Sequence, residues 1–207
     1  MKFSRIIANS GEWLSGDGPN RHIVVSSRVR LARNLSKKPF PGWAKKAERL
    51  EVVKLVKDAV EHLPEMAESY AENLETLSSL EKQVLVERHL ISREHAAKGV
   101  GSAVVMNAPQ SLSVMINEED HLRMQAICCG LQLDKVYEMI NRVDSELEEV
   151  LDFAFDARLG YLTACPSNVG TGMRASAMLH LPGLVMSDQI NKIINSVNKI
   201  GLAVRGL

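Results

Sequence analysis

Three apolar runs follow one another between residues 102 and 129: Ser102 to Asn107, Leu112 to Ile116, and a third ending in Cys128-Cys129. Ala108-Pro109-Gln110-Ser111 joins the first two with turn chemistry, a hairpin signature. Hairpins pair strands antiparallel, and the apolar side of such a sheet must be covered. Two helical patterns bracket the runs. Lys45 to Leu63 repeats apolar residues at helical spacing (Leu50, Val53, Leu55, Val56, Ala59, Val60, Leu63), and Pro64 ends it. Leu133 to Phe155 carries a second stripe (Leu133, Val136, Ile140, Val143, Leu147, Val150, Leu151, Ala154) opposite an acidic face. The fold class is α+β, an antiparallel β-sheet flanked by helices.

The other segments attach to this frame. Residues 1 to 20 end in Gly-rich turn chemistry, with Trp13 placed to anchor them to the body. His22 to Ser27 is β-rich and runs into Arg28, Arg30 and Arg33. Residues 66 to 78 read as a short helix or loop. Leu80 to Leu90 reads as a helix, with Ser78 or Ser79 and Glu81 as its capping residues and His89 at its end. Tyr161 to Ala164, Ala175 to Leu181 and Leu202 to Leu207 read as β runs. Pro182-Gly183 marks a break, and Ser187 to Ile200 a helix. With 207 residues the chain suffices for one sizeable domain.

Lys+Arg and Asp+Glu are both 25, so the chain lacks the basic excess of a general nucleic-acid binder. Aromatic residues at 4% are too sparse for base-stacking platforms. Three cysteines without zinc-site spacing suit a reducing compartment better than a disulfide framework. No apolar run approaches a membrane span, and the N-terminal one is too short for a signal peptide. These features lead to the expectation of a cytoplasmic protein without nucleic-acid or membrane partners.

The chemistry gathers in three places. Asn117-Glu118-Glu119-Asp120-His121-Leu122-Arg123 wedges carboxylates, an imidazole and a guanidinium between two apolar runs. If extended from Glu119 onward, it aligns Glu119, His121 and Arg123 on one wall; as a hairpin turn, it leaves the charges solvated. Arg28 and Arg30 share one face of a strand. They repel each other unless an anion such as phosphate lies between them, or they serve as a solvated basic edge. The segment from Cys165 to Arg174 lacks the Gly-Lys-Ser/Thr ending of a P-loop, but its glycines allow backbone N–H groups to approach an anion. Cys165 reads as a buried thiol, or as a thiolate stabilised by the hydroxyl of Ser167. Arginines, a carboxylate and a thiol together suit phosphoryl transfer.

Ser26-Ser27-Arg28-Val29-Arg30, the segment from Asn117 to Arg123, and Cys165-Pro166-Ser167-Asn168-Val169-Gly170-Thr171-Gly172 resemble the signatures of the ATP:guanido phosphotransferases, the creatine and arginine kinases. Within that family the chain is most similar to the bacterial protein-arginine kinases. It carries only a lead segment, residues 1–21, before the first motif, where phosphagen kinases have a separate helical domain. Residues 80–92 and Arg174 to Met178 also resemble the bacterial branch.

The resemblance implies a guanido-kinase catalytic domain over residues 22–207, incomplete at its C-terminus. Its substrate would be ATP, with Mg²⁺ bridging the phosphates and no protein metal site. It assigns nucleotide binding to Ser26, Ser27, Arg28, Val29, Arg30, His89, Arg123, Arg174, Ala175, Ser176, Ala177, Met178 and Arg205. Glu119 would be the base, and Cys165 the thiolate that pairs with the guanidinium, assisted by Ser167. Implied partners are proteins bearing exposed arginine, a zinc-binding activator protein and an unfoldase–protease; a homodimer fits the same resemblance. The implied roles are stress response and control of proteolysis. A non-catalytic adaptor of the same fold and a small-guanidino kinase are the competing readings.

Overall fold

The computed structural model describes residues 3–205. In chain order the elements are α1 (Phe3–Ala8), α2 (Glu12–Ser15), β1 (Val24–Arg33), α3 (Lys46–Glu61), β2 (Tyr70–Asn73), α4 (Ser79–Glu87) and α5 (Arg93–Ala96). Then come β3 (Ala103–Met106), β4 (Leu112–Ile116), β5 (Leu122–Cys129), α6 (Leu133–Val150), β6 (Phe155–Asp156), β7 (Gly160–Tyr161), β8 (Met173–Leu179), α7 (Pro182–Met186) and α8 (Ile190–Lys199). Six strands form one sheet in the order β2-β3-β4-β5-β1-β8, and every neighbouring pair is antiparallel. β6 and β7 form a separate small hairpin.

Side-chain alternation divides the sheet into two faces with different tasks. One packs Val29 and Leu31 of β1, Val114 of β4, and Leu122, Met124 and Ala126 of β5 against Val52, Val56 and Val60 of α3 and Ile140, Val143 and Leu147 of α6. The other face is covered over β2, β3 and β4, where Val104, Met106 and Met115 meet Ile6, Leu85, Leu90 and Ile91. Along β5 and at the start of β1 that second face is closed as well, with Gln125, Ile127, Cys129 and Ser26 buried; it opens over β8 and around Arg28 and Arg30.

The lead segment is tied into the body. Ile6 is fully buried, and the Arg88 guanidinium donates to the carbonyls of Ile6 and Asn9. Trp13 is the expected anchor: it is buried, and its indole N–H donates to the Arg88 carbonyl at 3.2 Å. Ser78 and Glu81 form the expected capping box of α4.

Several boundaries differ from the sequence reading. Residues 70–73 form an edge strand, whose half-exposed positions leave no clean apolar alternation to read. The second long helix stops at Val150, short of Phe155. The chain turns extended at Leu151 because Asp152 and Ala154 pair with backbone after β1: Ser36 N–H donates to Asp152 O, and Ala154 N–H to Asn34 O. Of Tyr161 to Ala164 only Tyr161 is in a strand. Pro182 opens α7 instead of breaking the chain, because proline at N1 forfeits no helical hydrogen bond. Residues 202–205 have no strand partner and form no strand; residues 206–207 of that expected run lie outside the described residues.

Candidate active site

Strand register builds the open face. Directly paired residues of antiparallel strands share a side. Arg30 stands opposite Arg174 on β8 and Gln125 on β5; Arg28 stands opposite Ser176, and Ala32 opposite Arg123. Arg28, Arg30, Arg123 and Arg174 therefore project onto one face. Arg123 is held by a salt bridge to Glu118 at 2.8 Å; Arg28, Arg30 and Arg174 have no salt bridge among the described residues.

The electrostatic consequence is largest at Arg30. Partial burial, followed by the charges of Arg28, Arg123, Arg174 and Arg205, pushes its pKa down to about 10. Its Nε is buried without a hydrogen-bond partner. Burial and then Arg123 also lower the Arg28 pKa. Crowded cations with an unpaired donor are chemically suited to an anion.

The alternation also corrects the expected set of binding side chains. Ser27 and Val29 point to the helix-covered face, where Val29 joins the core and the Ser27 hydroxyl donates to Gly130 O at 2.7 Å. Ala175 and Ala177, opposite Val29 and Ser27, point the same way. These four residues present only backbone to the arginine face; Ser26, Ser176 and Met178 present side chains. Arg33 also lies on the helix side, buried in a 2.6 Å ion pair with Asp144 of α6. Arg205 is exposed, and close enough for its charge to act on Arg30.

His89 follows the end of α4 with φ +56°. Its ring packs edge-on against Trp13, and its carbonyl accepts from Gln125 on the arginine face. Burial and then Arg28 lower its pKa, so the ring is neutral at pH 7.

Between β4 and β5 the charge cluster is a tight turn, with Asn117 at φ +57°, and not an extended wall. Glu119 is exposed at the turn, while His121 is fully buried beneath it. Leu35 N–H donates to His121 Nδ1 at 3.0 Å, and Nε2 lies 3.0 Å from the Pro39 carbonyl. His121 thus braces the segment after β1 and does not share a face with Glu119 and Arg123. Glu118 is buried and accepts from Arg123, from Ser92 Oγ at 2.8 Å and from Glu119 N–H. Burial opposes its ionisation, but Arg123 and these donors outweigh it and keep its pKa low. Glu119 is shifted upward, first by partial burial and then by Asp120 and Glu118. A carboxylate tuned upward is a better proton acceptor.

The thiol loop stands beside this turn. Cys165 is partly exposed, with Sγ 3.0 Å from Ser167 Oγ. Arg30, Glu119, Asp120, Arg123, Asn168, Gly172 and Arg174 line one small cleft of about 60 Å³. Gly172 lets the loop reach the sheet: its φ is +63°, its carbonyl accepts from Ala32 N–H, and a Cβ there would sit 2.6 Å from Ala32 O. Asn34 and Asp120 hold the loop from below. Asn34 stands just past the β1 arginines in sequence, but nothing in the sequence pairs it with a carboxylate 86 residues away.

The fold and site define a class of protein: an arginine-walled antiparallel sheet with a tuned carboxylate and a thiol at its rim. The family model for the ATP:guanido phosphotransferase C-terminal catalytic domain matches residues 51–207, and the chain belongs to that family. Among curated relatives it is similar to the protein-arginine kinase of Halothermothrix orenii, at 49% identity over 199 residues. That match covers 96% of this chain and 57% of the relative. A protein-arginine kinase of Pelotomaculum thermopropionicum is 47% identical over 199 residues, covering 94% and 56%. The chain therefore spans little more than half the length of these relatives. Among solved structures, the duplicated taurocyamine kinase from Schistosoma mansoni with bound transition state analog components matches with TM-score 0.79 at 27% identity. It covers 96% of this chain and 30% of that one. A lombricine kinase shares the fold at TM-score 0.74 and 23% identity, over 91% of this chain and 57% of its own.

Proposed function

We propose that this chain phosphorylates arginine side chains in proteins, transferring the γ-phosphoryl group of ATP to a guanidinium nitrogen. The observation that carries the reading is the open face with Arg28, Arg30, Arg123 and Arg174, ending at the upward-tuned Glu119. The similarity to protein-arginine kinases supplies the substrate class. Residues 22–207 form the catalytic domain in this reading, with residues 1–21 as its lead segment.

The arginines, with Arg205, hold the phosphates and offset charge on the equatorial oxygens in the transition state. Ser26, Ser176, Met178 and neutral His89 line the nucleotide's path along the sheet. A charged guanidinium is a poor nucleophile. Glu119 takes a proton from it as the nitrogen–phosphorus bond forms and the bond to the ADP oxygen breaks. Cys165, as thiolate beside Ser167, pairs with the remaining guanidinium charge. Mg²⁺ enters as part of the Mg-ATP substrate and is held by phosphate oxygens. The described residues form no cluster of three or more His, Cys, Asp or Glu that would cage it.

No described helix is long and apolar enough to cross a membrane. A cytoplasmic location, a role in stress response and proteolysis, and partnership with an activator protein, an unfoldase–protease or a second copy belong to the same proposal.

Incubation with Mg-ATP and an arginine-rich protein should yield acid-labile phosphate on arginine. Glu119→Gln should lower the rate about 10²–10⁴-fold, the usual contribution of a general base. Labelling of free arginine or creatine in preference to protein would replace the substrate class. ATP binding without turnover by the folded chain would replace the catalytic reading with that of an adaptor.

A further inference from the structure

Three segments that carry the candidate chemistry meet at one buried amide. Asn34, just past the end of β1, is 1% exposed. Its Nδ2 donates to Asp120 Oδ1 at 2.6 Å and to the Leu162 carbonyl at 3.1 Å, and its Oδ1 accepts from His121 N–H at 2.9 Å. Asp120 Oδ1 also accepts from Ala164 N–H at 2.6 Å. Asp120 adjoins Glu119 in sequence, and Ala164 adjoins Cys165. The strand of phosphate-facing arginines, the turn of Glu119 and the loop of Cys165 are thereby joined through two side chains.

The burial of this pair needs a reason. Asp120 is 3% exposed, and its two donors, an amide and a backbone N–H, are both uncharged. Burial outweighs those donors and raises its pKa. A carboxylate in such a place costs stability where an apolar residue would not. What it provides is a fixed distance between two groups on separate segments, each otherwise on a turn. Phosphoryl transfer depends on such placement: a misplacement of about 1 Å can cost on the order of 10²-fold in rate.

We propose that Asn34 and Asp120 are positioning residues for phosphoryl transfer, setting the carboxylate of Glu119 and the thiol of Cys165 against each other across the guanidinium. The inference rests on the kinase reading for its catalytic consequence. Its structural core, the registration of Cys165 by Asp120, can be read without turnover.

The test uses Asp120→Asn, Asp120→Ala and Asn34→Ala in the full chain, with circular dichroism confirming the fold. Asp120→Asn keeps an oxygen to accept from Ala164 and Asn34, so it should retain kcat to within about 5-fold. Asp120→Ala and Asn34→Ala should lower kcat about 30–100-fold with KM for ATP within about 2-fold, because the arginine face is untouched. Loss of the Asp120 charge should also move the acid limb of the rate profile to lower pH in both Asp120 variants, since that charge disfavours ionisation of Glu119. Cys165 alkylation by iodoacetamide should change at least 5-fold in Asp120→Ala and stay near wild type in Asp120→Asn. Wild-type kcat in folded Asp120→Ala, or a KM effect of equal size, overturns the inference. If wild-type chain transfers no phosphate, the kinase reading fails, and the alkylation rates decide the registration alone. Equal rates in wild type and Asp120→Ala would then overturn it. If Asp120→Ala does not fold, Asn34→Ser serves in its place, read by kcat, KM and Cys165 alkylation with the same expected and overturning results.

Discussion

Replacing Arg30 with methionine should make the folded chain more stable and its hold on ATP weaker. Arg30 is surrounded by Arg28, Arg123, Arg174 and Arg205, and its Nε has no partner. Folding pushes its pKa down from the ordinary guanidinium value to about 10, so the charged side chain is disfavoured by roughly 3 kcal/mol at about 1.4 kcal/mol per pH unit. The face is open to solvent, and screening reduces this to about 1–2 kcal/mol. The folded pKa lies below the unfolded one, so the penalty is fully present below about pH 10 and is relieved only as pH rises from there toward the ordinary guanidinium value. Methionine keeps the stem's packing and removes both the charge and the orphaned donor. For a chain of this length the midpoint of thermal unfolding should rise by about 2–8 °C. In the proposed function the same change removes a charge-assisted phosphate contact worth about 1.5–3 kcal/mol, so ATP should bind about 10–100-fold more weakly. Thermal unfolding with and without Mg-ATP reads both effects in one series. A lower midpoint for Arg30→Met without nucleotide, or an unchanged nucleotide-induced shift, refutes the account of this face as a strained anion cradle.

His95 is fully buried, and burial, opposed only in part by its bond to the Ala103 carbonyl, pushes its pKa down to about 4. The unfolded chain therefore binds more protons between pH 6.5 and 4, and stability should fall by up to about 3 kcal/mol as pH drops through that window. Urea midpoints measured across it should show a shallower slope in His95→Gln. Asp144→Ala should cost about 3–5 kcal/mol, because it strands the buried Arg33 guanidinium, now paired at 2.6 Å. Urea unfolding should show Arg33→Met/Asp144→Leu recovering most of that loss, and a double variant no better than the single one would contradict the assignment.

The local elements were legible wherever periodicity reported burial. The stripes of α3 and α6, the hairpin of β3 and β4, and the capping box of α4 follow from residue spacing and cap chemistry. The edge strand β2 and the early end of α6 were not legible, because their backbone partners come from distant segments: β3 in one case, the stretch after β1 in the other.

The site divides in the same way. The spacing of Arg28 and Arg30 is enough to put both on one face of a strand, and the resemblance of three motifs brought Glu119 and Cys165 into one hypothesis. Register alone decided that Arg174 stands opposite Arg30, and that Ser27, Val29, Ala175 and Ala177 turn their side chains away. Folding likewise decided that His121 is a buried brace, and that Asn34 and Asp120 staple the turn to the thiol loop. The physical reason is one of range. Alternation and capping are set by residues within a few positions of each other, and so are written in the chain by itself. Which strand lies beside which, and which buried carboxylate meets which amide, is settled only when apolar burial brings distant segments together and leaves each polar group to find its partner.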